Sequence, residues 1–207
     1  MKLTYKKGKG DKIHISIDGE YALTVDEMYF ASLYLKDGQE ISEQEYAGLE
    51  ETVNIRRAYN CAVSLLSRRD HSEKELIRKL KEKGHSKGAE AAIEKLKSGG
   101  YVDDERFSRI YASELIRLKG YGRRRVEQEL YLKGVDREIV SGVLDEISFD
   151  TDRLSDIIKR KYLAKMTDDK GRQKAFNALL RLGYSYGEIR DALENLQEEF
   201  TCEVYDE

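Results

Sequence analysis

The sequence predicts a mainly α-helical protein, in which three tandem three-helix repeats form an elongated curved array behind a small N-terminal extension of a β-hairpin and a helix. Three observations support this class. Period-two alternation of apolar residues occurs only near the N-terminus. Proline is absent and glycine occurs only 16 times in 207 residues, which favours helices joined by short turns. A helix ending in glycine recurs at intervals of 50 and 49 residues.

Strand signals are confined to the N-terminal extension, residues 1–50. Isoleucines alternate with polar residues along KIHISID, and EYALTV alternates in the same way after an Asp-Gly pair. Two such runs around Asp-Gly are typical of a β-hairpin. The next segment, DEMYFASLYL, reads as a short helix, and the capping-box spacing of Ser42 and Glu45 predicts the start of another.

The rest of the chain reads as three equivalent helical modules. Each contains a helix that ends in glycine, with leucine four residues earlier and an apolar residue eight residues earlier. This spacing gives each helix one buried stripe, and glycine fits the left-handed position just past a helix end. The landmark glycines are Gly84, Gly134 and Gly183. The predicted repeats are residues 51–103, 104–149 and 150–200, followed by an acidic tail at 201–207.

Composition and motifs narrow the class of protein. Net charge is −3, but residues 51–147 carry 21 Lys and Arg against 17 Asp and Glu, so the middle of the chain is basic. Cys61 and Cys202 are far apart, and the three histidines form no ligand pattern, so neither a metal nor a cofactor is expected. No phosphate loop or catalytic triad pattern occurs, which argues against an enzyme. Without an apolar span or a signal peptide, we expect a cytoplasmic protein that does not enter a membrane.

Two pairs of polar residues are predicted to be helix caps. Ser72 and Glu75 have capping-box spacing, and Asp103 and Asp104 stand just before a predicted helix. His71 is interpreted as a polar loop residue.

The best candidate for a functional surface is a basic stripe on the helix predicted over DERFSRIYASELIRLKG. Arginines at spacings of three and eight lie near one face of that helix, with Phe107, Ile110, Leu115 and Leu118 expected on the buried side. The candidate site residues are Arg106, Arg109, Arg117, Lys119, Arg123, Arg124 and Arg125. Secondary candidates are Arg68, Arg69, Lys170, Arg172 and Lys174.

Three arginines at the start of a predicted helix pose an electrostatic question. Cations at a helix N-terminus oppose the macrodipole by roughly 0.3–1 kcal/mol each. One interpretation is internal pairing of Arg123 with Glu127 and of Arg125 with Glu129. The other is that unpaired backbone N–H groups and guanidinium groups await an external phosphate or carboxylate. Spacing alone leaves both interpretations open.

Three motifs follow one another in a characteristic order: SEKELIRKLKEKG, GYVDDERFSRIYA and KGYGRRRVEQELYLKGV. They resemble the first repeat, the repeat junction and the second repeat of the RecX family, bacterial regulators of the RecA recombinase. The resemblance covers about residues 56–200 and is weaker in the third repeat. Arg123 stands where many members have proline, which suits the first turn of a helix.

This resemblance implies partners that composition does not reveal. RecX proteins lie in the groove of the RecA–DNA filament, bridge its protomers and restrain its growth, and they can bind DNA. The expected partners are therefore the RecA filament and, weakly and without sequence preference, single- or double-stranded DNA, with the chain itself a monomer. A helix-turn-helix DNA-binding transcription factor is the alternative, since the Gly120–Gly122 turn joins two predicted helices.

Overall fold

A computed structural model describes the backbone of residues 1–205 and the side chains of residues 1–150 and 152–196. The chain divides into two compact units. The first contains Met1–Arg69 and Leu76–Val102, and the second contains Asp70–Glu75 and the chain from Asp103 onward. The predicted class, mainly helical with repeated three-helix modules and a small β-structured N-terminus, is confirmed.

The N-terminal sheet has three antiparallel strands, one more than the predicted hairpin. They are β1 (Leu3–Lys7), β2 (Lys12–Ile17) and β3 (Glu20–Asp26), in the order β1-β2-β3. The hairpin of β2 and β3 turns at Asp18 and Gly19, which both have positive φ. The sequence did not predict β1, because its five residues contain too little alternation to stand out from a loop.

Apolar side chains on one face of this sheet form a hydrophobic core in the N-terminal part of the first unit. Leu3, Ile15 and Leu23 are buried there, as the alternation of β2 and β3 requires. Helix α1 (Glu27–Ser32) follows β3, and α2 (Glu43–Leu66) begins at the predicted capping box, whose two reciprocal hydrogen bonds are both present. Accordingly, the pKa of the Glu45 carboxyl is lowered by its bonds to the Ser42 backbone N–H and hydroxyl.

The three helical modules follow in chain order, and a short extra turn extends two of them. The first has α2, α3 (Glu73–Glu82) and α4 (Ala89–Ser98). The second has α5 (Asp104–Glu114) with a π-helical turn at Leu115–Lys119, α6 (Arg123–Leu132) and α7 (Arg137–Glu146). The third has α8 (Thr151–Lys161) with a 3-10 turn at Leu163–Lys165, α9 (Asp169–Arg181) and α10 (Tyr186–Tyr205).

The side chains of the predicted acidic tail, residues 201–207, lie outside the described residues, although the backbone is helical as far as Tyr205. The predicted buried stripe is confirmed in each module. Leu80, Leu130 and Leu179, which stand four residues before the landmark glycines, are all fully buried. Each landmark glycine also has the left-handed backbone predicted for it, with φ between 82° and 95°.

The end of one central helix meets the start of another inside the second unit. The Gly122 N–H donates to the Leu182 carbonyl at 2.8 Å, and the Arg124 N–H donates to the Gly183 carbonyl at 3.3 Å. The start of α6 therefore lies against the end of α9. The Ser72 hydroxyl, at the start of α3, likewise donates to the Lys133 carbonyl at the end of α6. At each junction the N-terminal end of one helix, where the dipole is positive, meets the C-terminal end of another, where it is negative. The carbonyl groups at the C-terminal end thereby gain hydrogen-bond donors.

In the third module, the start of the central helix is contacted by the segment that directly precedes it, and not by the end of another central helix. Gly171 stands twelve residues before Gly183, as Gly122 stands twelve before Gly134. Helix α9, however, begins earlier, at Asp169, and Gly171 lies against the Lys165 carbonyl of the 3-10 turn. In the second repeat the corresponding place, at Gly122, is filled by the Gly183 carbonyl beyond the end of α9, whereas in the third repeat it is filled by the segment that precedes α9.

Candidate functional site

The π-helical turn at the end of α5 decides which side chains face outward. Such a turn inserts one residue and rotates those that follow it. Leu115 remains buried, whereas Arg117 and Lys119 are exposed and Leu118 is 63% exposed. The expectation that Leu118 and Ile110 lie on the buried side is wrong, because Ile110 is exposed as well.

Beside this turn lies a cleft of about 490 Å³, here called the basic cleft. The turn between α5 and α6 forms one wall and helix α8 the other. Arg153 links the walls, because its Nη2 donates to the Arg117 carbonyl at 2.7 Å. The charged lining residues are five cations, Arg117, Lys119, Arg153, Arg160 and Lys161, and three carboxylates, Asp150, Asp152 and Asp156. The excess of cations makes this cleft suitable for an anionic ligand.

The sequence predicted only two of these cations, Arg117 and Lys119. Arg153, Arg160 and Lys161 were missed, although the KRK run at the end of α8 was a visible signal. Basic residues in a last helical turn are ordinarily explained by the helix dipole, so their run alone indicates no site.

Two of the predicted arginines bind the end of α7. Arg123 donates from Nη1 to the Leu144 carbonyl at 2.8 Å and from Nη2 to the Asp145 carboxylate at 2.5 Å. Arg109 donates from Nε to Glu146 at 3.0 Å and also contacts Glu105. The bonds to Glu146 and then to Glu105 raise the pKa of the Arg109 guanidinium. Both arginines thus place positive charge where a helix end is negative.

The electrostatic question at the start of α6 is answered by tertiary contacts. The expected pair of Arg125 and Glu129 is confirmed at 2.7 Å. The expected pair of Arg123 and Glu127 is wrong, since Arg123 binds Asp145 instead. The backbone N–H groups of Gly122 and Arg124 already donate to the end of α9, so these two groups are not free for an external anion.

The seven predicted candidates therefore differ in their availability. Arg109, Arg123 and Arg125 are held by carboxylates. Arg106 and Arg124 are exposed, and in the described part of the chain the Arg124 guanidinium has no acidic partner. The structure brings Arg117 and Lys119 together at the basic cleft.

The secondary candidates fall into two groups. Arg68 and Arg69 are exposed just beyond the end of α2, in the first unit. Lys170, Arg172 and Lys174 are exposed on the first turns of α9. Lys170 and Lys174 also line a smaller cleft of about 350 Å³.

A polar pair is buried near the start of α3. His71 is only 4% exposed and Glu75 only 5%, and His71 Nδ1 lies 2.8 Å from the Glu75 carboxylate. Lys133 Nζ, at the end of α6, lies 3.2 Å from the other Glu75 oxygen. His71 lies in the loop before α3, as interpreted, but it is buried and paired, which the sequence did not predict.

The predicted caps at Ser72 and Asp103 are present, whereas Asp104 is the first residue of α5 and its carboxylate accepts from the Glu73 N–H at 2.7 Å. The Glu75 N–H donates to the Ser72 hydroxyl at 3.2 Å, and the Asp103 carboxylate accepts from the backbone N–H groups of Glu105 and Arg106, both at 2.9 Å. Within the described residues, no three His, Cys, Asp or Glu side chains converge to hold a metal ion. Nor does any helix in that part of the chain have the length and apolar character needed to cross a bilayer.

Comparison with protein families identifies both of the first two modules. Residues 58–96 match the family model for the first three-helix domain of RecX, and residues 103–144 match the one for its second three-helix domain. The chain is 34% identical over 189 residues to the regulatory protein RecX of Caldanaerobacter subterraneus, covering 91% of this chain and 95% of that protein. The chain belongs to the RecX family.

Further similarity to RecX extends over nearly the whole chain. The regulatory protein RecX of Clostridioides difficile is 28% identical over 199 residues, covering 94% of each chain. A crystal structure of regulatory protein RecX has a TM-score of 0.65 at 23% identity, covering 91% of this chain and 97% of that one. At 23% identity this similarity shows that the chain shares the fold of that RecX structure. The description 'regulatory protein' applies to the similar proteins.

The helix-turn-helix alternative is disfavoured by the junction at α6. A recognition helix presents its N-terminal residues to base edges. Here the start of α6 is covered by the Leu182 and Gly183 carbonyls at the end of α9. The backbone N–H groups of Gly122 and Arg124 are therefore bonded within the chain and are not available to DNA.

Proposed function

We propose that this RecX-family chain binds the RecA–DNA filament and mainly inhibits it, limiting filament extension during DNA repair, homologous recombination and the SOS response. Membership of the family is the observation that carries the proposal. The chain acts by binding and performs no chemistry of its own. It works as a monomer in the cytoplasm, where bacterial DNA lies.

The basic cleft is the surface of the second unit that best suits such a filament. Arg117 and Lys119 stand on one wall, and Arg153, Arg160 and Lys161 stand on the other. A filament on DNA offers phosphates and acidic side chains, and both are attracted to such an excess of cations. Contacts to phosphates depend strongly on salt and do not read base sequence.

Additional exposed cations supply weaker contacts at other points. Arg124 on α6 and Lys170 on α9 are exposed, and each can meet an anionic group without breaking an ion pair of the described chain. Several weak contacts on one rigid body bind a repetitive filament more tightly than any one of them alone. A chain that contacts more than one protomer in this way opposes extension.

The proposal is tested with the cognate RecA recombinase on single-stranded DNA. Increasing amounts of the chain are added while ATP hydrolysis and strand exchange are followed. Wild type is expected to slow both. The double variant Arg117→Glu/Lys119→Glu should need about tenfold more protein for equal inhibition, because reversal of two charges removes two phosphate or carboxylate contacts.

A matched control is Lys83→Glu, which reverses an exposed lysine just beyond α3 and outside the cleft. It should inhibit like wild type, and both variants should retain the wild-type circular-dichroism melt. No inhibition by wild type would sink the proposed function. Equal inhibition by wild type and the double variant would show that the basic cleft is the wrong surface. A sequence-specific footprint on duplex DNA at moderate salt would point to a transcription factor instead.

A further inference from the structure

A second cleft, of about 500 Å³, lies in the first unit between α2 and β3, which is an edge strand of the sheet. We call it the N-terminal cleft. Its volume is within the range of small-molecule sites in proteins. The wall supplied by α2 consists of residues that share one face of that helix, namely Val53, Arg56, Arg57 and Asn60. The proposed function above does not use this cleft.

Arg57 is a fixed cation of this cleft without a counter-charge. Its side chain is half-buried, and its Nη2 donates to the Thr24 carbonyl at 2.6 Å, which ties α2 to β3. Among the residues that the structure describes, no carboxylate pairs with Arg57. A guanidinium has five N–H donors in a rigid fork, so donors remain for a ligand. Because buried charges in proteins are ordinarily paired, an anion that enters beside Arg57 would be stabilised.

Arg56, the other arginine of this wall, is already satisfied within the protein. Its Nε lies 3.4 Å from a carboxylate oxygen of Asp26, and its guanidinium carbon stands 4.3 Å from the centre of the Tyr29 ring. The Asp26 carboxylate also accepts from the Tyr29 N–H at 2.7 Å. These contacts hold Arg56 in place and leave Arg57 as the arginine that a ligand can use.

Tyr29 supplies a second unsatisfied donor. It lines the cleft, and its hydroxyl is buried with no hydrogen-bond partner in the described part of the chain. Burial is the main reason that the pKa of Tyr29 is raised above 10.0, so the hydroxyl keeps its proton near neutral pH. Buried polar groups without a partner are uncommon in proteins, and an acceptor oxygen brought by a ligand would satisfy this one.

The charge balance of the cleft indicates the charge of its ligand. The charged lining residues are three cations, Lys12, Arg56 and Arg57, and two carboxylates, Asp11 and Asp26. With His14 neutral, they leave one positive charge, which a single carboxylate balances. A phosphate dianion or a longer polyanion would instead place excess negative charge beside Asp11 and Asp26.

We propose that the N-terminal cleft binds a small organic molecule through a single carboxylate, which Arg57 and Lys12 hold while the Tyr29 hydroxyl donates to an oxygen of the same ligand. The guanidinium fork of Arg57 suits a planar carboxylate. Lys12 is exposed at the start of β2 and adds a positive charge that requires no fixed geometry. A free organic acid and the C-terminus of a short peptide both offer this group. The site lies outside the basic cleft and does not depend on the proposed function.

The experiment records amide NMR spectra of the isotope-labelled full chain during titration with four organic probes. Benzoate is compared with benzamide, its neutral counterpart, and an N-acetylated alanine tripeptide is compared as free acid and as amide. Benzoate should shift the amide resonances of Thr24, Arg57 and Asn60 in a saturable manner. Benzamide should bind about tenfold more weakly or less, because it lacks the charge-assisted hydrogen bonds. Inorganic phosphate is the doubly charged probe and should also bind more weakly than benzoate.

Three variants test the proposed contacts. Tyr29→Phe keeps the ring against Arg56 and should weaken benzoate binding about fivefold, the effect of one net hydrogen bond. Lys12→Ala should weaken it about threefold, as expected for an exposed cation. Arg57→Lys keeps the charge but removes the fork, and it should weaken binding about tenfold.

The matched controls are Tyr34→Phe and Lys36→Ala, which change exposed residues of the same unit that do not line the cleft. Both should bind benzoate like wild type, and circular dichroism should show that the variants are folded. If Arg57→Lys does not fold, Tyr29→Phe and Lys12→Ala decide the question, since neither removes the tie between α2 and β3.

A response to benzoate supports a free organic acid as the ligand, and a response to the tripeptide acid alone supports a peptide C-terminus at the same site. The proposal is overturned if neither acid shifts the cleft resonances, if benzamide binds as tightly as benzoate, or if phosphate binds more tightly than both acids. Unchanged affinity in folded Tyr29→Phe and Lys12→Ala variants also overturns it. Because recombinase and DNA are absent, these outcomes are independent of the filament-inhibition test.

Discussion

The Gly122 N–H donates to the Leu182 carbonyl at 2.8 Å. The start of α6, the central helix of the second repeat, is therefore capped by the end of α9, the central helix of the third. This junction explains how three arginines can follow Gly122. The positive end of α6 faces carbonyl groups of α9, and Arg123 turns away to the end of α7. Each helix end thus finds a partner of opposite sign.

Gly183→Ala should destabilise the second unit. Gly183 has a φ of 95°, and a Cβ there would lie 2.5 Å from the Arg125 Cβ and close to its backbone nitrogen. Positive φ alone costs an L-residue about 1–2 kcal/mol, and the clash with backbone should bring the total to about 3 kcal/mol or more. Urea unfolding followed by circular dichroism measures the change in the free energy of unfolding.

Gly84→Ala is the control for the junction. Gly84 has a similar φ of 82°, but no described atom lies within 4 Å of its Cβ position. It should therefore show the backbone cost alone, about 1–2 kcal/mol. Equal losses in the two variants would mean that the contact with α6 does not constrain Gly183.

Arg123→Ala should destabilise the chain, whereas Arg124→Ala should not. Arg123 caps the end of α7 through Leu144 and Asp145, although its side chain is 44% exposed and solvent weakens the ion pair. We expect a loss of about 1 kcal/mol for Arg123→Ala and less than about 0.5 kcal/mol for the exposed Arg124. Urea titrations measure both, and a larger loss for Arg124 would contradict the assignment.

Tyr184→Phe should remove a pH-dependent part of stability. The buried Tyr184 hydroxyl donates to the Gly120 carbonyl at 3.2 Å. Burial is the main reason that its pKa is raised above 10.0, with Glu188 adding to the rise and Arg153 opposing it. The folded state therefore favours the neutral phenol. Its contribution is complete below the unfolded pKa of 10.0 and is lost as pH rises through the folded pKa.

The difference between wild type and Tyr184→Phe should be about 1 kcal/mol near neutral pH. It should shrink as the solution becomes alkaline, because only wild type carries a phenol whose ionisation the folded state disfavours. Urea unfolding from about pH 8 to about pH 11 tests this. Tyr34→Phe, at an exposed site, should show no such trend, and a pH-independent difference for Tyr184→Phe would contradict the role of burial.

Glu75→Gln should be costly, and the same change at Glu82 on the same helix should not. Glu75 is buried between His71 and Lys133. The neutral Gln amide removes the negative charge that pairs with Lys133 and leaves one fewer acceptor oxygen for the two neighbours. We expect a loss of about 2 kcal/mol. Glu82 pairs with Arg78 on the surface, where loss of the pair should cost less than about 0.5 kcal/mol. Thermal and urea unfolding would contradict this if the two variants were equally stable.

The sequence by itself determined the features that depend on neighbours along the chain. Apolar residues four and eight positions before Gly134 predicted which face of α6 is buried. The spacing of Ser42 and Glu45 predicted where α2 begins. The hairpin of β2 and β3 followed from period-two alternation. Three ordered motifs also identified the family. These features are local, because helix and strand periods repeat within a few residues.

Only the tertiary structure decided which cations are available and which polar groups are buried. Arg123 and Arg124 are adjacent in sequence, but one binds the end of α7 and the other faces solvent. The partner of Arg123, Asp145, lies 22 residues away, and the partner of Glu75, Lys133, lies 58 residues away. Such partners are fixed by how the modules pack and by a π-helical turn that shifts the helical period, and neither leaves a periodic signal in the sequence.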